Sequence, residues 1–402
     1  MTHRVFAVVA ALGLATIPAP HCFARPDEPA QPAQTGAAAV ALRPQALREA
    51  LLEALKAPAV PGIAAAVFTD EGIVASEAAG TRVRGQEAAV EITDPFHLGS
   101  CTKAMTATLA AALVDEGVIR WDSTLGEVFP DIAPSMQGSY AGVTLEQLLT
   151  HRAGVPAFTS GAAPESVKLR SLDNSLEDQT AAFVRLVTSD PPVHEPGSSF
   201  LYSNGGYGLA AAMMERAAKA PWRMLMRERL FAPLAMTTAG FGWPATDEQP
   251  DRPRGHWGAP DAPSPMALNA QYRLQAALAP AGDVHASIDD WARFGILHLR
   301  GMRTGASPRG LTISAQSFTK LHTPLGERSY AMGWAAGERD GVAFQTHSGS
   351  AGTFYATVTL IPEWNLGVVI AVNSGTPRVT DAVRAVEQRL IEAYGPEAAD
   401  DQ

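Results

Sequence analysis

Thr353-Phe354-Tyr355-Ala356-Thr357-Val358-Thr359-Leu360-Ile361 leads through Pro362-Glu363-Trp364-Asn365 into Leu366-Gly367-Val368-Val369-Ile370-Ala371-Val372. The first run alternates, with Phe354, Ala356, Val358 and Leu360 on one face and Tyr355, Thr357 and Thr359 on the other. That is the period of a strand. The Pro-Glu-Trp-Asn stretch turns the chain. The second run is apolar throughout, which suits a strand buried on both faces. Working outward, Val342 to Thr346 follows the turn pair Asp340-Gly341 and adds a third strand. Near the other end, Gly62 to Phe68 and Ile73 to Ala79 flank Asp70-Glu71-Gly72, the pattern of a hairpin.

Helical patterns fill the rest. Leu47, Leu51 and Leu55 share one face of 45–57, and Met105, Leu109 and Leu113 recur before Gly117 stops the run. Thr144 with Gln147, and Ser287 with Asp290, read as capping boxes. Tyr207 to Ala220 and about 380–394 are further helices, whereas six prolines in 244–265 predict a long irregular loop. The economical fold is α/β of the α+β kind. Its centre is an antiparallel five-stranded sheet, two strands from the N-terminal part and three from the C-terminal part, flanked by helices with an inserted, mostly helical region. One domain is expected over 41–395, its sheet part at about 41–121 and 275–395 and its insert at about 122–274.

Composition narrows the function. The 402 residues are 46% hydrophobic and 18% charged, which is globular. Thirty-one Lys and Arg against 41 Asp and Glu leave a net charge of −10, with no basic run, so a nucleic-acid partner is not expected. Two cysteines exclude a disulfide scaffold. His-Glu-x-x-His, Cys-x-x-Cys, Gly-x-Ser-x-Gly and phosphate-cradling glycine loops are all missing, so neither a metal nor an organic cofactor is expected. Residues 1–24 read as a signal peptide: Arg4, an apolar run from Val5 to Ile17, Pro18 and Pro20, then Cys22-Phe23-Ala24. A disordered spacer over 25–40 follows, and no later segment is apolar enough to span a bilayer. The mature product is expected to be periplasmic or secreted, without a transmembrane segment. Its oligomeric state leaves no signal.

Chemistry gathers at Ser100-Cys101-Thr102-Lys103, at the start of the apolar helix. Residues three apart share a helix face, so the hydroxyl and the amine are neighbours. A serine needs a base, and a lysine whose pKa is lowered by burial supplies one. The Ser100 N–H, in the first helical turn, is free to stabilise an oxyanion. Ser317-Phe318-Thr319-Lys320 repeats the pattern, but Pro324 follows closely and leaves no long buried helix behind it. Tyr202-Ser203-Asn204 precedes another apolar helix: a tyrosine there can shuttle a proton, and Asn204 can hydrogen-bond a substrate amide. In His347-Ser348-Gly349-Ser350, at a strand end, Gly349 admits close approach of substrate and the Ser350 N–H is a second oxyanion donor. Cys101 points away from Ser100 and reads as a small buried residue.

In this order, the three motifs resemble the serine β-lactamase and penicillin-binding-protein superfamily, in the branch of class C β-lactamases, D-alanyl-D-alanine carboxypeptidases and related esterases. Leu148-Leu149-Thr150-His151-Arg152-Ala153-Gly154, Gly205-Gly206-Tyr207, Pro280-Ala281-Gly282-Asp283 and Tyr330-Ala331-Met332-Gly333-Trp334 look like the same branch. The resemblance spans about 45–390. It implies a β-lactamase/transpeptidase-like fold, with Ser100 acylated, Lys103 as base, Tyr202 as proton shuttle, Asn204 as substrate contact, and the Ser100 and Ser350 amides as oxyanion hole. Class C β-lactamases usually carry Lys-Thr-Gly where this chain has His347-Ser348-Gly349. A neutral histidine there favours peptidase or esterase activity over strong β-lactamase activity. The expected partner is a small-molecule or short-peptide substrate: a D-Ala-type peptide, an amide, a small ester or a β-lactam. The pocket is expected from 156–180 and 244–275. The other reading is a penicillin- or peptidoglycan-binding sensor that acylates without efficient turnover.

Overall fold

The computed structural model describes residues 44–171, 179–270, 274–326 and 328–396. The expected signal peptide and spacer lie outside the described residues. A six-stranded sheet forms the centre. Its strands are β1 (Gly62–Phe68), β2 (Ile73–Gly80), β3 (Ala335–Arg339), β4 (Val342–Ser350), β5 (Tyr355–Ile361) and β6 (Leu366–Val372). They run β2-β1-β6-β5-β4-β3, every neighbouring pair antiparallel. The hairpin between β1 and β2 turns where Asp70-Glu71-Gly72 predicts it, closed by the Thr69 N–H on Gly72 O at 2.9 Å.

The sheet therefore has one strand more than the five expected. Ala335-Ala336-Gly337-Glu338-Arg339 shows no alternation and is half-exposed or exposed throughout. It is an edge strand, and edges are short and charged because they must not recruit another chain. Strand β4 also runs to Ser350, past Thr346, so the whole His347 motif sits within the ladder.

Both sheet faces are covered, which explains the continuous apolar runs. In β1, Ala64, Ala66 and Phe68 face one core and Ile63, Ala65 and Val67 face the other. The second core is closed by α1 (Pro44–Ala54) and α5 (Val379–Tyr394), through Leu47, Leu51, Val383, Val386 and Leu390. Across the sheet lie α2 (Thr102–Asp115) and α4 (Ile288–Thr304). All residues of α2 from Thr102 to Leu113 are buried, so this helix is apolar all round rather than striped. The Phe68 ring is clasped by two glycines: a Cβ on Gly295 of α4 would lie 2.3 Å from it, and one on Gly367 of β6 2.1 Å.

Two local readings change. The 244–265 segment contains a hairpin, His256–Ala259 paired with Ala262–Pro265, whose prolines stand on a two-stranded ribbon that needs few ladder bonds. The Ser287 cap accepts the Asp290 N–H, but the Asp290 carboxylate turns to Thr238 and Arg293, and the Ser287 N–H donates to Thr238 Oγ1. Thr144 and Gln147 do form a reciprocal box.

A short second sheet orders Phe96–His97, Val284–Ala286 and Gly240–Phe241. The Leu98 N–H donates to Val284 O at 2.8 Å, fixing the chain as it enters the turn Gly99–Cys101.

Candidate active site

Ser100 lies in that turn, immediately before α2, and remains partly exposed. Gly99 takes a left-handed φ of 51°, and a Cβ on it would lie 2.4 Å from the Ser350 N. On the facing strand a Cβ on Gly349 would lie 2.6 Å from the Ser100 N and 2.1 Å from Leu98 O. Two backbones thus meet at van der Waals distance because both lack side chains there. Ser350 is exposed, so the meeting point opens to solvent.

Lys103, one turn on, is fully buried. Its Nζ lies 3.2 Å from Ser100 Oγ, 2.8 Å from Asn204 Oδ1 and 2.8 Å from Ala281 O. It stands 4.7 Å from the centre of the Tyr202 ring. Among the described residues no carboxylate pairs with it. Burial pushes its pKa well below the ordinary lysine value. A neutral amine has two N–H bonds and one lone pair. Asn204 donates through Nδ2 to Phe158 O at 3.0 Å, so its Oδ1 faces Lys103. Asn204 Oδ1 and Ala281 O each accept an N–H bond from Nζ, so the amine in its neutral form has its lone pair left for the Ser100 hydroxyl.

Tyr202 precedes α3 (Asn204–Ala218). Burial raises its phenol pKa, against the lowering effect of its hydrogen bond with Ser100. It is therefore a phenol, not a phenolate, at neutral pH. His347 is held at about 3 by burial and then by the nearby Lys103. Its Nδ1 lies 2.7 Å from Ser348 O, which only accepts, so Nδ1 carries the proton. Nε2 then accepts the Tyr330 hydroxyl at 3.1 Å.

The structure brings Ser100, Lys103, Tyr202, Asn204, His347, Gly349 and Ser350 together. Asn204 touches Lys103. Cys101 is buried, with Sγ 3.5 Å from His347 O and its thiol pKa pushed up by burial. The second Ser-x-x-Lys is tied elsewhere: Ser317 donates to Asp115 at 3.0 Å and Lys320 to Glu146 at 2.5 Å.

Sequence reasoning assigned no role to Tyr330. Its segment is held by Gly333, where a Cβ would lie 2.5 Å from the Ala104 N of α2. His151 acts as a peg. Its Nδ1 accepts the Ser203 N–H at 3.0 Å, and its ring lies 4.4 Å from Tyr202 and 5.1 Å from Tyr330. Arg152 holds a loop through Leu325 O and Gly197 O at 3.3 and 3.1 Å.

The profile of the Beta-lactamase family matches residues 47–393. The chain belongs to the beta-lactamase family of serine hydrolases. It is 28% identical to a protein named Penicillin-binding protein 4, of Amycolatopsis lactamdurans, over 358 residues, covering 84% of this chain and 88% of that one. Among solved structures, SurE superposes with a TM-score of 0.69 at 22% identity, over 88% of this chain and 77% of that one. The beta-lactamase/D-alanine carboxypeptidase of Pseudomonas syringae superposes with a TM-score of 0.68 at 17% identity, over 88% and 99% of the two chains. These solved neighbours share the beta-lactamase fold.

Proposed function

We propose that this protein is an exported serine hydrolase acting through an acyl-enzyme on Ser100. Its substrates are D-Ala-type peptides and amides or small esters, and β-lactams acylate it. The observation that carries the reading is Lys103: buried, without a carboxylate partner among the described residues, its Nζ held by Asn204 Oδ1 and Ala281 O at 2.8 Å and lying 3.2 Å from Ser100 Oγ.

Lys103 takes the Ser100 proton as Oγ bonds to the substrate carbonyl carbon. The carbonyl oxygen becomes an oxyanion facing the Ser100 and Ser350 N–H groups. The proton passes from Lys103 through the Tyr202 phenol to the leaving nitrogen or oxygen, whose bond to the carbonyl carbon breaks. Water then adds to the ester carbonyl, gives up a proton by the same route, and Ser100 leaves with it. His347 takes no part as an acid near neutral pH and serves through Tyr330 to shape the wall. A neutral residue at 347 gives this position no permanent attraction for a substrate carboxylate, which favours amides and esters over efficient β-lactam turnover. The relative named Penicillin-binding protein 4 supports β-lactam acylation. The test is p-nitrophenyl acetate hydrolysis by Ser100→Ala, with circular dichroism to confirm folding. Loss of turnover in a folded protein is expected, and wild-type turnover overturns the proposal.

A further inference from the structure

Beside the turn that follows Ser350 lies a shallow hollow, open to solvent, lined among others by Trp243, Pro253, Arg254, Gly255, Met266 and Phe354. It adjoins both backbone segments of the candidate site. Phe354 O accepts the Ser350 hydroxyl at 2.8 Å, and a Cβ on Gly255 would lie 2.7 Å from the Phe354 ring. On the other side the Trp243 ring is 4.4 Å from that of His97, three residues before Ser100.

The walls are apolar except for Arg254. Its Nε is buried and has no hydrogen-bond partner among the described residues. The Arg254 N–H donates to Arg82 O at 3.1 Å, and the Arg84 N–H to His256 Nε2 at 3.0 Å. Arg82 is neutralised by Asp94 and Glu91. Among the described residues Arg254 has no carboxylate within ion-pair distance, in a chain with ten more acidic than basic side chains. A guanidinium is a planar fork that matches a carboxylate, and a partnerless buried N–H is a vacancy that an acceptor fills. Aromatic and thioether walls suit the apolar body that carries it.

We propose that this hollow is a subsite for a carboxylate borne on an apolar group of the substrate, with Arg254 as its counter-ion. It supplies, from the 253–255 loop, a positive charge that residue 347 lacks. The inference rests on the acyl-enzyme reading for its link to turnover, but not for binding. Two measurements on the full chain test it. Calorimetric titration with phenylacetate should show binding about tenfold or more tighter than with phenylacetamide, a preference that Arg254→Gln removes and Arg254→Lys partly keeps. Inorganic phosphate binding as tightly as phenylacetate would overturn the carboxylate assignment. In kinetics, the kcat/KM ratio of the p-nitrophenyl monoester of adipic acid to p-nitrophenyl hexanoate should fall about tenfold or more in Arg254→Gln. An unchanged ratio, equal losses on both esters, or no preference for phenylacetate over its amide overturns the proposal. If instead Ser100→Ala hydrolyses the hexanoate ester normally, the acyl-enzyme reading has failed, and the titration alone decides the subsite.

Discussion

The contact between Gly349 and the turn at Ser100 sets up a quantitative expectation for Gly349→Ala. The added Cβ would lie 2.1 Å from Leu98 O, 2.6 Å from the Ser100 N and 2.8 Å from the Cys101 N. All three are backbone atoms, so no side chain can rotate away. Restoring ordinary contact with Leu98 O requires strand and turn to separate by about 1 Å. That separation also pulls the Ser350 amide from the Ser100 amide, and oxyanion donors act over a narrow range of distance. Misplacement of about 1 Å costs roughly 10²-fold, so kcat for p-nitrophenyl acetate should fall about 10²-fold with a smaller change in KM. Overpacking of this kind costs about 1–3 kcal/mol, so the variant should still fold, with a Tm lower by a few degrees. Stopped-flow or plate kinetics alongside a circular-dichroism melt measures both. A folded variant with kcat within about threefold of wild type would refute the argument that the close approach of these backbones builds the catalytic geometry.

Four further outcomes follow from the same structure. Lys103 acts as the neutral amine and its pKa is lowered by burial, so kcat/KM should be full above that lowered pKa and fall about tenfold per unit as pH drops below it. His347 is neutral down to about 3, so His347→Gln should lower the rate without moving that acid limb; a shifted limb assigns it to the histidine. Tyr202→Phe removes the proton relay and should cost about 10²–10⁴-fold in kcat on an amide substrate, with less loss on a p-nitrophenyl ester whose leaving group needs no proton; equal losses would argue against a shuttle. Phe68→Ala empties the space between Gly295 and Gly367 and should cost about 3–5 kcal/mol by denaturant titration, against less than 1 kcal/mol if the sheet collapses onto α4.

The parts of the fold legible in the sequence are those with a strong local period or cap. Strands β1, β5 and β6 carry their burial on their faces, and Thr144 with Gln147 closes a box that four residues specify. Strand β3 escapes because an edge strand of Ala, Gly, Glu and Arg has no buried face to pattern. Asp290 misleads because a residue at the third helical position is free to cap its own helix or to leave it, and Thr238, fifty-two residues away, decides. The same divide runs through the site. Ser100 and Lys103 are one helical turn apart, so their meeting is local. Tyr330 reaches His347 only because Gly333 docks its loop on α2, a tertiary contact with no period behind it. The state of Lys103 is likewise invisible in sequence, since it depends on Asn204 and Ala281, more than a hundred residues away.

The central claim is that Ser100 becomes acylated. Intact mass spectrometry over time with benzylpenicillin, followed by peptide mapping, tests it directly. The account predicts one covalent equivalent of penicillin on the peptide bearing Ser100, absent from Ser100→Ala, with a lifetime that separates slow hydrolysis from permanent capture. An adduct on another residue, or penicillin consumed without any dependence on Ser100, would contradict it.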